Sequence, residues 1–123
     1  MEIRCIAIDD EKPARIQMEE YIKKVPMLKF LGVFKGGLEA LSFLKENEVD
    51  LIFLDIQMDD LTGIEFLESL RNQPKVIFTT AYDSYALDAY ELDVVDYLLK
   101  PISFKRFVKS VEKAYEIIQG KTK

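Results

Sequence analysis

The chain has 123 residues, of which 49% are hydrophobic and 32% are charged, and its formal net charge is −5 at pH 7. This length fits one domain of ordinary globular composition, because domains typically have ~100–200 residues. The acidic balance argues against direct nucleic-acid binding by this segment, since DNA-binding domains carry a basic surface.

Two residue counts narrow the possible chemistry further. The chain has no histidine, which excludes a Ser-His-Asp triad, a histidine metal ligand and a self-phosphorylating histidine. Its single cysteine, Cys5, lies in an apolar stretch, so we expect a small core residue in a reducing, cytoplasmic compartment. No apolar run reaches the ~20 residues of a membrane span, and the N-terminus does not resemble a signal peptide.

The predicted secondary structure alternates between strands and helices along the whole chain. In chain order we predict a strand over 3–8, a helix marked by Ala14 to Val25, a strand over 28–34, a helix marked by Ala40 to Leu44, a strand over 50–54, a helix marked by Ile64 to Leu70, a strand over 76–79, a short helix over 85–91, a strand over 94–99 and a helix from Phe104 to Ile118. Pro13 and Pro26 bracket the first helix, Gly36-Gly37 is a turn, and Gly120 caps the last helix.

This alternation predicts a parallel sheet with helices on both faces. Right-handed crossovers restrict the fold to a three-layer α/β/α sandwich, and strand order 2-1-3-4-5, as in flavodoxin-like proteins, is one common solution. Ligands of such sheets bind at the switch point, here between strands 1 and 3, at the carboxyl ends of the strands.

Acidic residues stand at both of those strand ends. Asp9-Asp10 follows the first strand and Asp55 follows the third. Carboxylates from two strand ends repel one another unless a cation joins them, and Mg²⁺ prefers such oxygen ligands. We therefore predict Asp10 and Asp55 as direct ligands, with Asp9 supporting them and the Gln57 carbonyl completing the site. In the alternative interpretation, Asp9-Asp10 only caps the first helix.

A carboxylate beside Mg²⁺ can also attack a phosphoryl group and form an acyl phosphate. Lys100, at the end of the fifth strand, could bind one phosphoryl oxygen, and the hydroxyl of Thr80, at the end of the fourth strand, another. Taken singly, Lys100 could be a solvated lysine and Thr80 a turn residue. Together with the acidic cluster they predict a phosphoryl-transfer site.

These motifs resemble the receiver domain of two-component response regulators over essentially the whole chain. The matching segments are Asp9-Asp10-Glu11, Asp55-Ile56-Gln57-Met58 with Gly63 eight residues after Asp55, Thr80-Ala81 and Tyr97-Leu98-Leu99-Lys100-Pro101. Residues 78–86, 96–102 and Arg106-Phe107 resemble the LytTR subgroup, whose members usually carry a C-terminal DNA-binding domain.

The resemblance implies a role for each candidate site residue. Asp55 would be the phosphoacceptor, receiving the phosphoryl group from the phosphohistidine of a sensor histidine kinase. The carboxylates of Asp9 and Asp10 and the Gln57 carbonyl would hold Mg²⁺, and the phosphoryl group would be bound by Thr80 and Lys100. The chain would act as a signalling domain and not as an enzyme, beyond slow self-dephosphorylation.

The resemblance also implies how a signal would leave the site. Tyr97 would be an aromatic switch that follows Thr80 inward, although a packing aromatic is the alternative, and the Lys100–Pro101 bond would often be cis. The surface of the predicted fourth helix, fifth strand and fifth helix would change and could form a homodimer. We expect residues 1–119 to be the receiver domain, and 120–123 to begin a linker to a DNA-binding effector outside this sequence.

One segment departs from the family pattern. Asp59-Asp60 follows Met58, where the family usually has proline. We expect this loop to be more mobile and more acidic than usual, which affects partner preference and leaves the assignment of Asp55 unchanged.

Three competing functions differ from the receiver in specific residues. An aspartyl-phosphate phosphohydrolase usually needs an acid two residues after its nucleophile, where this chain has Gln57. A flavodoxin-like FMN carrier needs a phosphate loop after the first strand, where Asp9-Asp10-Glu11 would repel a phosphate. A stand-alone adaptor that signals by protein contact has the same receiver sequence and stays open.

Overall fold

The computed structural model describes residues 2–70, 74–82 and 93–120. In these residues the chain forms five strands and four helices: β1 Ile3–Ile8, α1 Lys12–Lys24, β2 Leu28–Phe34, α2 Gly37–Glu46, β3 Leu51–Asp55, α3 Gly63–Ser69, β4 Lys75–Thr80, β5 Asp96–Leu99 and a C-terminal helix, Phe104–Ile118. The short helix predicted over 85–91 lies outside the described residues.

The five strands form one parallel sheet in the order β2-β1-β3-β4-β5, which confirms the predicted fold. The bounds of β3, β4 and β5 differ by one or two residues from the sequence prediction, and β4 spans Lys75–Thr80 instead of 76–79. β3 includes Asp55, because Asp55 pairs with Thr79 of β4. β5 begins at Asp96 instead of Val94. All five strands point the same way, so their carboxyl ends lie along one edge of the sheet.

Alternate residues of the central strands supply two separate cores, as expected for a sheet buried on both faces. Cys5 and Ala7 of β1 face a cluster that contains Phe107 of the C-terminal helix, and Ile6 and Ile8 face a second cluster. In the first cluster, the ring of Phe107 stacks on Phe53 of β3 with centroids 5.0 Å apart. The sheet therefore separates two apolar layers, one under α1 and the C-terminal helix and one under α2 and α3.

Cys5 is fully buried in the first of these cores, as predicted. Burial, followed by the nearby charge of Asp50, raises the pKa of its thiol to about 12. A thiol with this pKa stays protonated at neutral pH and behaves as a small apolar side chain.

The helix ends follow local sequence signals. Pro13 occupies the start of α1, Ser103 Oγ accepts a hydrogen bond from the Arg106 N–H at the start of the C-terminal helix, and Gly120 follows that helix with φ of +77°. The Lys100–Pro101 bond is cis, as predicted. Among the described residues, no helix combines the length and the apolar character needed to cross a bilayer.

Candidate functional site

Three carboxylates meet at the carboxyl edge of the sheet. Asp9 and Asp10 follow β1, and Asp55 ends β3, which is the neighbour of β1. Asp9 and Asp55 are buried, whereas Asp10 is half-buried. One oxygen from each carboxylate lies within 4.8 Å of the other two. The predicted convergence of these side chains is therefore present.

Lys100 reaches the same cluster from the end of β5. Its ammonium Nζ lies 2.7 Å from Asp9 Oδ2, 3.8 Å from Asp55 Oδ1 and 3.8 Å from Glu11 Oε1. Burial alone would lower the pKa of Lys100, but the bond with Asp9 and the charge of Asp55 outweigh it and raise the pKa above its usual value. The ammonium is therefore a fixed positive charge beside Asp55.

One lysine does not balance three carboxylates. Burial, followed by the charge of Asp9, raises the pKa of Asp55 to about 7, against the opposing charge of Lys100. Burial and then the charges of Asp59 and Asp9 also raise the pKa of Asp10. Both carboxylates thus carry an unrelieved cost of ionisation, which a divalent cation with oxygen ligands would remove. The donor set fits Mg²⁺.

These groups line one open cavity of about 520 Å³. Its walls include Asp10, Asp55, Gln57, Thr80, Ala81 and Lys100. The small Ala81 leaves access to the Asp55 carboxylate, and the Gln57 N–H donates a hydrogen bond to Asp55 Oδ1 at 3.3 Å. The cavity has room for a phosphoryl group beside a hydrated cation.

Thr80 and Tyr97 are both bonded to the peptide groups of Tyr82. Thr80 Oγ1 accepts a hydrogen bond from the Tyr82 N–H at 3.1 Å, and the hydroxyl of Tyr97 donates one to the Tyr82 carbonyl oxygen. Thr80 is buried, with 1% of its surface exposed, and Tyr97 is half-buried. A movement of Thr80 would therefore act on the segment that holds the Tyr97 ring.

The loop after β3 begins and ends at fixed points. The Ile56 N–H donates to the Thr79 carbonyl oxygen at 3.1 Å, and the Gly63 N–H donates to the Ile56 carbonyl oxygen at 2.6 Å. A Cβ at Gly63 would lie 2.7 Å from the Asp55 carbonyl oxygen and from Ile56 Cα, so only glycine permits this approach. Thr62 and Glu65 then cap the N-terminus of α3 with a capping box.

The Asp59-Asp60 pair divides into two environments. Asp59 is exposed, lines the cavity and raises the pKa of Asp10, as expected for a more acidic loop. Asp60 turns to α2, where it accepts hydrogen bonds from the N–H groups of Gly37 and Leu38, each at 3.1 Å. The sequence prediction of a mobile loop did not include this attachment, which Gly36-Gly37 could have indicated.

The contacts of two arginines near the site were not predicted from the sequence. Arg15 of α1 donates a hydrogen bond to the Asp9 carbonyl oxygen at 2.8 Å. Arg106 binds both carboxylate oxygens of Asp96, at 2.8 and 2.9 Å, and the Tyr97 carbonyl oxygen at 3.3 Å. The Asp96 side chain is only 8% exposed, so it is paired within the chain and contributes little charge to the surface.

Comparisons with known proteins agree with this architecture. Residues 5–112 match the family model described as "Response regulator receiver domain". The chain is 36% identical over 114 residues to the sensory transduction protein LytT of Bacillus anthracis, covering 90% of this chain and 46% of LytT. It is 33% identical over 114 residues to the transcriptional regulatory protein YpdB of Escherichia coli K12, covering 90% and 47%.

A solved structure gives the same result for the fold. The response regulatory domain of protein mrkE from Klebsiella pneumoniae superposes with a TM-score of 0.87 at 30% identity, over 96% of this chain and 99% of that one. The chain thus spans about half the length of the curated relatives it matches and nearly all of an isolated regulatory domain.

Proposed function

The chain belongs to the response regulator receiver domain family, with LytT among its relatives, and on that premise we propose that Asp55 accepts a phosphoryl group from a sensor histidine kinase. The observation that carries this proposal is the position of the Asp55 carboxylate. It ends a buried strand, lies within 4.8 Å of the Asp9 and Asp10 oxygens, and lines an open cavity beside the Lys100 ammonium.

In the proposed transfer, an Asp55 carboxylate oxygen forms a bond to phosphorus. The bond between phosphorus and the kinase imidazole nitrogen breaks, and its electron pair returns to that nitrogen. Because Thr80 Oγ1 already accepts a hydrogen bond from Tyr82, its own O–H is left to donate to a phosphoryl oxygen. Lys100 supplies positive charge to another phosphoryl oxygen, so this chain contributes mainly position and charge.

We assign the metal site to the same edge. Asp10, Asp55 and the backbone carbonyl of Gln57 would hold Mg²⁺, and Asp9 would support them through Lys100. When bound, Mg²⁺ neutralises charge on the phosphoryl oxygens. Asp9 Oδ2 already forms a 2.7 Å ion pair with Lys100. This favours Asp9 as a residue that positions the site over Asp9 as a direct metal ligand.

We propose that the signal leaves through Thr80 and Tyr97. A phosphoryl group adds negative charge and acceptors at Asp55, and Thr80 would turn toward it and release the Tyr82 N–H. The Tyr97 ring would then move inward and change the surface formed by β5, the C-terminal helix and the segment of the predicted fourth helix. Inverting a 1:99 equilibrium needs ~5.5 kcal/mol, which several charge-assisted hydrogen bonds of ~1.5–3 kcal/mol each can supply.

The output we propose is transcriptional. YpdB is named a transcriptional regulatory protein, and the match covers about half of its length. We therefore propose that residues 1–119 are a cytoplasmic receiver that controls a LytTR-type DNA-binding domain, with a homodimer formed on phosphorylation.

Intact mass after incubation with Mg²⁺ and acetyl phosphate tests the acceptor. We expect the parent protein and a Glu39→Gln surface control to gain one phosphoryl group, and Asp55→Asn to gain none. Chelation of Mg²⁺ should abolish the gain in the parent and in Glu39→Gln. Equal uptake by Asp55→Asn would overturn the assignment of Asp55.

A further inference from the structure

The contact between Asp60 and α2 joins the phosphoacceptor loop to an element outside the site. Asp60 Oδ1 accepts the Gly37 N–H and Oδ2 accepts the Leu38 N–H, each at 3.1 Å. Oδ1 also accepts the Leu61 N–H at 2.7 Å, within the loop itself. One carboxylate thus binds the first turn of α2 across more than 20 residues of sequence, and the positive end of that helix favours the charge.

The two glycines before α2 make room for this contact. A Cβ at Gly36 would lie 2.7 Å from Asp60 Oδ2 and 3.1 Å from its Cγ, and a Cβ at Gly37 would lie 3.1 Å from Leu61 Cδ1. Gly36 has φ of −153°, a conformation open to any residue. The backbone conformation of Gly36 therefore does not require glycine. Glycine is required there because the Asp60 carboxylate lies too close for a Cβ.

The loop between β3 and α3 also forms part of the cavity wall. Gln57, Met58 and Asp59 line the cavity around Asp55, and Asp60 comes directly after them. The base of the loop is held by hydrogen bonds of Ile56 and Gly63, while Asp60 bonds the tip to α2. Gln57 therefore lies in the sequence between one attachment at Ile56 and the other at Asp60.

We propose that Asp60 is a positioning residue that holds the loop over the metal site by its bonds to α2. This inference rests on the proposed function, because it concerns the same Mg²⁺ site.

A double-mutant cycle between Gly36 and Asp60 tests this role, with Mg²⁺ affinity measured by calorimetric titration of the full chain. Asp60→Ala should weaken Mg²⁺ binding about tenfold, the lower end of the loss seen when groups behind metal ligands are removed. Gly36→Ala removes no charge, yet its Cβ would displace the carboxylate, so it should cause a similar loss. In the Asp60→Ala background, Gly36→Ala should cost nothing further.

Each outcome bears on the inference. A loss in Asp60→Ala without one in Gly36→Ala would mean that only charge is involved, and would overturn the positioning role. Additive losses would overturn it too, because the two residues would then act independently. Urea unfolding of the same four proteins measures their stability. A lower free energy of unfolding with unchanged Mg²⁺ affinity would mean that Asp60 only stabilises the fold, and would overturn the positioning role. Absence of Mg²⁺ binding by the parent would instead overturn the proposed function and this inference with it.

Discussion

The Lys100 ammonium makes its short contact with Asp9, at 2.7 Å, and stands 3.8 Å from Asp55. Asp9 therefore holds the lysine beside Asp55 through a hydrogen bond that Asp55 itself does not receive. This arrangement keeps an oxygen of Asp55 open to the cavity while its charge is partly balanced. Asp9 thus contributes to two properties of the site: it positions Lys100 and, after burial, it raises the pKa of Asp55.

Replacing Asp9 by asparagine should affect both properties. Asp9→Asn keeps the shape but removes the charge, so we expect the pKa of Asp55 to fall and Mg²⁺ affinity to weaken about 10–100-fold. Calorimetric Mg²⁺ titration measures the affinity. Glu11→Gln is the matched control, since Glu11 lies 3.8 Å from Lys100 and is exposed, and it should change the affinity less. Equal affinities in Asp9→Asn and the parent would refute the role of Asp9.

Gly63 should tolerate no side chain. The Cβ of Gly63→Ala would meet backbone atoms of Asp55 and Ile56 at 2.7 Å, and backbone cannot yield as a flexible side chain can. We expect a loss of about 1–3 kcal/mol in the free energy of unfolding, measured with urea, together with slower phosphoryl uptake. Gly32→Ala serves as the control because its Cβ would meet only the Phe34 ring, at 3.4 Å. A Gly63→Ala protein as stable as the Gly32→Ala protein would contradict this.

The Asp96–Arg106 pair should make the free energy of unfolding depend on pH in the acidic range. Burial would raise the pKa of Asp96, but the bonds from Arg106 and the charge of Lys113 lower it below its usual value. The pair therefore stabilises the fold above the unfolded pKa of ~3.9, and this contribution is lost as pH falls through the lower folded pKa. At neutral pH, Arg106→Gln should cost about 1.5–3 kcal/mol.

Urea unfolding between about pH 7 and pH 2 measures this contribution. Arg106→Gln should lose less stability than the parent as the solution is acidified, because its Asp96 has lost its main partner. Lys105→Gln removes the same charge from an exposed neighbour and should keep the parental slope. Identical slopes in all three proteins would show that the pair does not contribute.

Tyr97 should separate phosphorylation from its consequence. Tyr97→Ala removes the ring and its bond to the Tyr82 carbonyl, but no group that touches Asp55, so phosphoryl uptake by intact mass should be unchanged. Hydrogen exchange of β5 and the C-terminal helix should respond to acetyl phosphate in the parent and not in the variant. Loss of uptake in Tyr97→Ala would refute the switch role.

The sequence predicts the sheet and the meeting of Asp9, Asp10, Asp55 and Lys100 because periodicity determines both. Apolar runs between helical segments require parallel strands, and parallel strands bring their carboxyl ends to one edge. Nothing in that reasoning depends on the conformation of a loop, which is why these positions could be predicted without structure.

The contacts of Asp60, Arg15 and Arg106 could not be predicted in this way. Each joins a side chain to a group on another element, and the choice of partner depends on where a loop or a rotamer points. Asp96, for example, is the first residue of β5, where a charged side chain would be expected at the surface, yet Arg106 of the C-terminal helix covers it. Pairing of charges within the chain is decided by tertiary packing.

The rate at which the buried thiol of Cys5 is labelled can measure how often the sheet opens. Because Cys5 is the only cysteine in the sequence and its pKa is raised to about 12, a thiol-reactive reagent can label it only when β1 separates from its neighbours. Asp9 and Asp10 follow the same strand, so a cation or phosphoryl group that binds the native state should slow the labelling. The alkylation rate of Cys5, a core residue, would then decrease as the occupancy of the site increases.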